Sequence, residues 1–385
     1  MFFDAQAQHQ ERGIPEDVSR STLSDIGVWA RAHRTGGMSP AHLRDGGEDE
    51  GVWGLGNLAW PMHSLNGEIL RVGRFQHRLG KFKDPFEVYR HQKTRAVQMV
   101  VAESKIGFDK SGLMARIPTM PVSRLVLESR NAGGYVSRKE EVPDPAWRSE
   151  RVRLNAGGGS AEDGYSHSGR TIRATPIAPS GLAEPRVVEL DLHEWDLVLA
   201  KGDPILEIHI PEGSSMDVAT CGEGLRRVAA EYRSWQRGGT SELTRSQRFR
   251  ERGTFAAFVC SSWMLDPHYT TELAPTSNIV RFQRESYCFP TGAEGDGLSG
   301  YERLFSTDAR RGTPPQTGGS SLQTAFLRHT SEGGRWVGGG CFLLHGDAER
   351  YGEQVYFGAD YHARRRREAA LEAADAAQDK VAEAA

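Results

Sequence analysis

PILEIHIPEGSSMDVATCGEGLRRVAAEYRSW, residues 204–235, is the stretch whose reading decides the fold. Residues 204–210 alternate Ile and Leu with Glu207 and His209, the period of a half-buried strand. The run from Pro211 to Met216 reads as a loop. Asp217 is a capping residue, and Val218, Cys221, Leu225, Val228, Ala229 and Tyr232 fall on one stripe at helical spacing. Strand, loop and helix in this order aim the unpaired N–H groups of a helix N-terminus at one spot, backed by the positive end of the helix dipole. Such a spot suits a phosphate, and Gly213 lets a ligand approach the backbone closely. Glu207 and His209 share a face of the strand. Imidazole titrates near neutral pH, so His209 is placed to take a proton from an attacking amine, with Glu207 acting through a water. The competing reading is that His209 donates to a neighbouring carbonyl and merely fixes the loop.

Working outward, FAAFVCSSWMLDP (255–267) reads as an apolar strand whose end carries Ser261, Ser262 and Asp266, with Trp263 filling core. SNIVRFQRESYCF (277–289) is a short helix or a strand, residues 320–329 are a helix, and the Gly-rich run to Leu344 ends in an edge strand. Upstream, SRSTLSDIGVWARAH predicts a helix beginning near Ser21, and Asn66-Gly67 between apolar runs predicts a hairpin turn whose second arm is one strand from Glu68 to Arg78. Lys93 to Glu103 satisfies both the strand and the helix template. Residues 130–185, crowded with Gly, Pro, Ser and charge, read as an insertion or linker with short strands at 151–154 and 171–174 and no packed domain of its own. The last 23 residues form an Ala-rich helix whose Arg364 to Arg367 cluster is a solvated face or a contact arm.

Lys and Arg number 48 against 51 Asp and Glu, a net charge of −3, so no protein-wide field drives the chain toward nucleic acid or an anionic membrane. No apolar run approaches the roughly 20 residues of a membrane-spanning helix, and the N-terminus has no secretory pattern, which places the chain in the cytoplasm. Cys221, Cys260, Cys288 and Cys341 lack the two-residue spacing of metal or redox sites. They are expected to be reduced, buried and small, and no metal is expected. The absence of a GxSxG elbow argues against a serine hydrolase, and that of GxGxxG and GxxxxGK[ST] against the two common nucleotide loops.

Taken in order, WARAHR (29–34), EILRVGRFQ (68–76), LEIHIPEGSSMDVATCGEGLRRV (206–228), VCSSWMLDP (259–267), APTSNIVRFQRE (274–285) and SSLQTAFLRHTSEGGRWVGGG (320–340) resemble the bacterial acyltransferase-domain proteins. Those join an N-acyltransferase N-terminal half to a GNAT-type C-terminal half. The resemblance implies an α+β fold: a GNAT-like mixed twisted sheet flanked by helices, with a long insertion (about 79–200) and a charged helical tail from 346. It divides the chain into 1–200, 201–345 and 346–385. It also implies transfer of an acyl group from acyl-CoA, acetyl-CoA included, or from a carrier-protein thioester to a small-molecule or peptide amine. In that scheme His209 and Glu207 remove the proton, and Gly213, Ser214 and Ser215 serve the pyrophosphate with Arg71 and Arg74. Ser262 or Tyr269 protonates the thiolate, while Gln76, Trp263, Asp266, Asn278 and Arg281 hold the acceptor. Ion pairing is the plain alternative for Arg74 and Arg281. Glu212-Gly213-Ser214-Ser215 stands where the family has Ala-Gly-Gly-Pro, which puts a carboxylate beside the phosphate cradle. This departure and the long insertion keep a second reading open, a non-catalytic binding or assembly module on the same fold.

Overall fold

A computed structural model describes residues 2–34, 61–102, 107–108, 114–115, 122–130, 134–142, 165–184, 186–211, 214–235, 247–291, 304–305, 319–331, 336 and 338–358. The chain opens with helices α1 (Phe2–Glu11) and α2 (Glu16–Arg34). The start of α2 lies five residues before the expected Ser21, because Pro15 precedes it and Glu16 and Asp17 in its first turn complement the helix dipole. Among the described residues seventeen strands follow. The first two, β1 (Ile69–Val72) and β2 (Phe75–Lys81), form a hairpin that turns at Gly73-Arg74, with Gly73 at φ +58°. The expected turn at Asn66-Gly67 is a different device. Residues 61–65 are helical, and Gly67 at φ +68° with the Glu68 N–H donating to the His63 carbonyl ends that helical turn.

Between β2 and β14 (Pro204–His209) the chain builds separate small sheets. One contains β3 (Phe86–His91), β4 (Val97–Val101), β11 (Pro176–Ile177) and β13 (Trp195–Leu199); another contains β9 (Tyr165–Ser168), β10 (Thr171–Ala174) and β12 (Val188–Asp191). Two-stranded pieces, β5 (Gly107–Phe108) with β6 (Met114–Ala115) and β7 (Val122–Arg130) with β8 (Gly134–Val142), complete the count. Within the ambiguous Lys93–Glu103 run, Val97–Val101 is therefore strand, and Glu103 lies outside the described residues. The strand at 171–174 stands, and the one at 151–154 lies outside the described residues. The insertion is better packed than its composition suggests, since Tyr89, Val100, Ile172, Ala174 and Leu190 bury one another in a core of their own.

The main sheet is mixed, in the order β1-β2-β14-β15-β17-β16, where β15 is Ala257–Ser262, β16 Tyr287–Pro290 and β17 Gly339–Leu344. Strand β17, expected at an edge, lies inside, because β16 pairs along its outer side and all six of its residues are buried. Helix α3 (Val218–Trp235) and the helix Asn278–Glu285 cover one face through Tyr232, Phe255, Phe258, Phe75 and Phe282. The other face takes the first small sheet. Phe82 and Phe86 meet Phe289, Tyr287 donates its hydroxyl to the Ile177 carbonyl, and buried Arg90 pairs with Asp347. At the free edge, the Arg71 N–H donates to the Thr22 hydroxyl of α2 at 2.8 Å, which closes the edge strand. All four cysteines are buried and free, and Cys260, Cys341 and Cys288 face one another in register across three strands. Residues 345–358, expected to open a tail, pack onto the core through Ala348, Tyr351 and Tyr356. Residues 359–385, with the Arg364 to Arg367 cluster, lie outside the described residues.

Candidate active site

Strands β14 and β15 are the parallel pair of the sheet, and they part early. Only three rungs join them: Ile205 with Ala257, Leu206 with Phe258, Glu207 with Val259. Beyond this point β14 stays with β2 as far as His209 opposite Gln76, and β15 stays with β17 as far as Ser262 opposite Gly339. A gap therefore opens between residues 208–209 and 260–262, about 7–10 Å long at the usual rise per residue, lined on both banks by backbone that no longer pairs across it. An extended, amide-bearing ligand fits this kind of opening.

The β14 bank gathers most of the residues the sequence singled out. His209 is exposed at the strand end. Protein crowded round its ring and the charge of Arg78 lower its pKa to about 4, so it is neutral at physiological pH. Glu207, half-buried and opposite Arg78, lays its carboxylate over Gly80, where a β-carbon would lie 2.5 Å from its Oε1. Arg71 donates to the Gly73 carbonyl at 3.0 Å and to the Ser214 hydroxyl at 3.1 Å, and lies 3.6 Å from Asp25 of α2. Gln76 donates to the same Asp25 carboxylate. Asp25 had no sequence signal, being a polar residue on a helix far from Arg71 in the chain.

The loop into α3 departs from a bare phosphate cradle. Asp217 caps the helix by accepting from the Thr220 N–H at 2.9 Å, receives the Ser215 hydroxyl at 3.0 Å and lies 3.8 Å from Arg74. These bonds, those to Thr220 first, hold its pKa near about 2, so a carboxylate charge sits where a pyrophosphate would be drawn. Ser214 accepts from Arg71 and Ser215 donates to Asp217, while Gly213 and Glu212 lie outside the described residues.

On the β15 bank, Ser262 accepts from the Met264 N–H at 3.2 Å and caps the short 3-10 turn Trp263–Leu265. Tyr269 is fully buried, stacked on Trp336 with ring centres 4.5 Å apart, and its hydroxyl has no partner. Burial, with Asp266 nearby, raises its pKa above the ordinary range and makes it a poorer proton donor than an exposed tyrosine. Asp266 is buried too and turns its carboxylate to His268, not outward to a cleft. Trp263 is half-buried at the edge of the aromatic cluster of Tyr269, Phe326 and Trp336. Asn278 and Arg281 lie exposed on the following helix. Among the described residues no group of three or more His, Cys, Asp or Glu is placed to hold a metal ion, and no helix is long and apolar enough to cross a membrane.

Two family models match the chain: a GNAT-like C-terminal domain over residues 69–343 and an N-acyltransferase N-terminal domain over residues 1–37. No curated protein matches it. Among solved structures, a mutant acyltransferase in complex with octanoyl-CoA aligns with 89% of this chain and 62% of its own length, at 18% identity and a TM-score of 0.42. An acyltransferase in complex with decanoyl-CoA and teicoplanin aligns with 89% and 63%, at the same identity and TM-score. The chain thus spans about three fifths of those proteins.

Proposed function

We propose, from the premise that the chain belongs to the acyltransferase family of the GNAT-like C-terminal domain, that it carries an acyl group from a thioester to an amine by direct attack. The early parting of β14 and β15 carries this reading. A pantetheine arm is a narrow chain with two amides, and backbone released from the ladder on both banks offers it hydrogen bonds. CoA and a carrier protein present the same arm. Arg71, Arg74 and the Ser214 and Ser215 hydroxyls suit the phosphates of CoA, with Asp217 opposing them.

The reaction asks for three things. The amine nitrogen must attack as a lone pair and then shed a proton; the oxyanion must meet N–H donors; the departing thiolate must gain a proton. Neutral His209 is ready to accept at its ring nitrogen, with Glu207 on the same face. Gln76 and Asp25 position the acceptor, and Asn278 and Arg281 belong to the acceptor side of the other bank. Chemistry of this kind needs no metal, and it suits a cytoplasmic bacterial protein.

Titration calorimetry with acetyl-CoA and a longer acyl-CoA, together with thiol release in a pool of primary amines, tests the reading. Heat on binding and amine-dependent thiol release support it; neither heat nor thermal shift with any acyl-CoA refutes it. Binding without release selects the assembly module, which the Asp217 charge at the helix terminus favours. Full turnover in His209→Ala removes His209 from its role.

A further inference from the structure

We infer that the hydroxyl of Ser261 is the group that receives the departing sulfur as the thioester breaks, an inference that rests on the acyl-transfer reading above. Strand register places it at the opening. The last rung between β14 and β15 pairs Glu207 with Val259, and both strands keep their pairing on the outer side beyond it, β14 as far as His209 opposite Gln76 and β15 through Ser261 opposite Gly340. Two residues on from one rung, His209 and Ser261 therefore stand on the same face of the sheet, on opposite banks of the gap. Paired strands lie about 4.8 Å apart, and these two have parted, which leaves room for a narrow chain between them.

The same alternation separates the two serines of this strand end. Ser262 belongs to the other face, with Cys260 and Phe258, and accepts from the Met264 N–H as the cap of a 3-10 turn. Ser261 is exposed, and its hydroxyl has no hydrogen-bond partner among the described residues. Its neighbours in the sheet on this face are apolar. Val259 precedes it by two residues. On the β17 side Gly340 brings no side chain, and the space is taken by the Phe289 ring, which would lie 2.2 Å from a β-carbon at 340. Phe82 and Phe86 hold that ring in turn. One row across the sheet thus runs from Arg71 through Gln76 and His209 to the gap, and resumes with Ser261, Gly340 and Phe289. It is polar up to the gap and apolar behind Ser261, so the hydroxyl is left to donate toward the opening.

Position gives the hydroxyl its task. In acyl transfer the amine's proton goes to the His209 bank, and backbone N–H groups released at the gap serve the carbonyl oxygen. The third charge grows on sulfur as the C–S bond breaks. An amine entering from the His209 bank bonds to the near side of the carbonyl carbon, so the sulfur departs toward the β15 bank, where a fixed donor stabilises the charge as it develops.

Atoms and charges balance at each stage. The amine nitrogen bonds to the thioester carbon and the carbonyl π pair moves to oxygen. The extra proton on nitrogen passes to His209. The pair on oxygen returns, the C–S bond breaks with its electrons on sulfur, and the Ser261 O–H donates a hydrogen bond to the thiolate while keeping its own proton. His209 gives its proton to water, and the thiolate takes one from water as it leaves. The charged and titratable groups along this face are Arg71 with Asp25, Arg78 with Glu207, and His209.

Binding of the product reads the contact to sulfur directly. Calorimetry of CoA and of desulfo-CoA, which lacks the thiol, is run on wild type, Ser261→Ala and Ser261→Thr from about pH 6.5 to 9.5, across the ordinary thiol pKa of about 8.5. With wild type the affinity ratio should shift in favour of CoA by roughly five- to tenfold as the thiol ionises. With Ser261→Ala it should stay flat, and Ser261→Thr, which keeps a hydroxyl, should restore the shift. Desulfo-CoA cancels what other titrating groups do to the rest of the cofactor, and thermal melts check that each variant is folded. In turnover with acetyl- and octanoyl-CoA and a panel of amino-acid amides, polyamines and amino sugars, Ser261→Ala should lower kcat roughly 10- to 10²-fold with KM little changed, the worth of one hydrogen bond to a charged group. An equal shift in Ser261→Ala, a flat ratio in a wild type that releases thiol, or full kcat in Ser261→Ala overturns the inference and leaves the acyl-transfer reading intact. A wild type that binds no CoA or acyl-CoA and releases no thiol overturns both.

Discussion

Acid should undo this fold in a way that one buried side chain accounts for. His77 of β2 is fully buried, edge-on to Phe75 and Phe258, and neither ring nitrogen has a hydrogen-bond partner. Burial first, with smaller contributions from the charge of Arg71 and the proximity of His209, lowers its pKa from 6.5 to about 3 against the opposing pull of the nearby Val72 backbone. The folded state thus holds fewer protons than the unfolded chain between these values. Stability is then full above the unfolded pKa and falls as pH drops toward the folded one. At about pH 5 the loss is 1.36 kcal/mol times the roughly 1.5 units below the unfolded pKa, about 2 kcal/mol, and it approaches about 5 kcal/mol near pH 3. His77→Leu removes this term. It also removes two unpaired nitrogens, worth about 1–3 kcal/mol, partly offset by the lost ring contacts. Urea denaturation of both proteins from about pH 7.5 to 5 reads the difference directly. The wild type should lose about 2 kcal/mol more than the variant over that range, since His9 and His345 contribute equally to both. Parallel curves would refute the reasoning, because they would mean that the buried imidazole finds a partner for its proton.

Breaking the buried Arg90–Asp347 pair with Asp347→Asn should cost about 3–5 kcal/mol in chemical denaturation, since Tyr356 also donates to that carboxylate and the guanidinium is left buried. Gly73→Ala should cost about 2 kcal/mol, because the residue sits at φ +58° and its new methyl would lie 3.2 Å from the Gly224 Cα of α3. Asp217→Asn keeps the cap and removes the charge, so calorimetry should show acyl-CoA binding roughly two- to fivefold more tightly; unchanged affinity would place the phosphates elsewhere. Arg71→Ala should weaken the same binding and flatten its dependence on salt.

β14 and α3 were legible to within a residue, because strict alternation, a capping Asp and a helical stripe agree at that point. The hairpin was misplaced for a physical reason. Asn66-Gly67 is the strongest turn signal in the region, yet a left-handed glycine ends a helical turn as readily as it joins strands, and the actual turn, Gly73-Arg74, is a weaker signal inside an alternating run. The sheets of β3, β4, β11 and β13 and of β9, β10 and β12 were hidden because their strands are two to six residues long and several carry charge on the exposed side. On the β14 bank the positions of Glu207 and His209 on one strand were legible from the alternation. Asp25 was not, since a carboxylate on an amphipathic helix announces nothing until tertiary packing brings Arg71 and Gln76 to it.

The pairing of β2 with β14 also bears on how the chain is made. The two strands are neighbours in space, yet about 120 residues of insertion separate them, so at ribosomal speeds of about 5–20 residues per second the first hairpin waits roughly 6–24 s for its partner to emerge. During that interval Leu70, Val72 and Phe75 lack β14, β15 and α3, and of the residues in their core only Ile14 and Val18, beside the amino-terminal helices, precede them in the chain. The amino-terminal helices therefore double as a temporary cover for a half-built sheet, and deleting them should show itself first as aggregation of nascent chains.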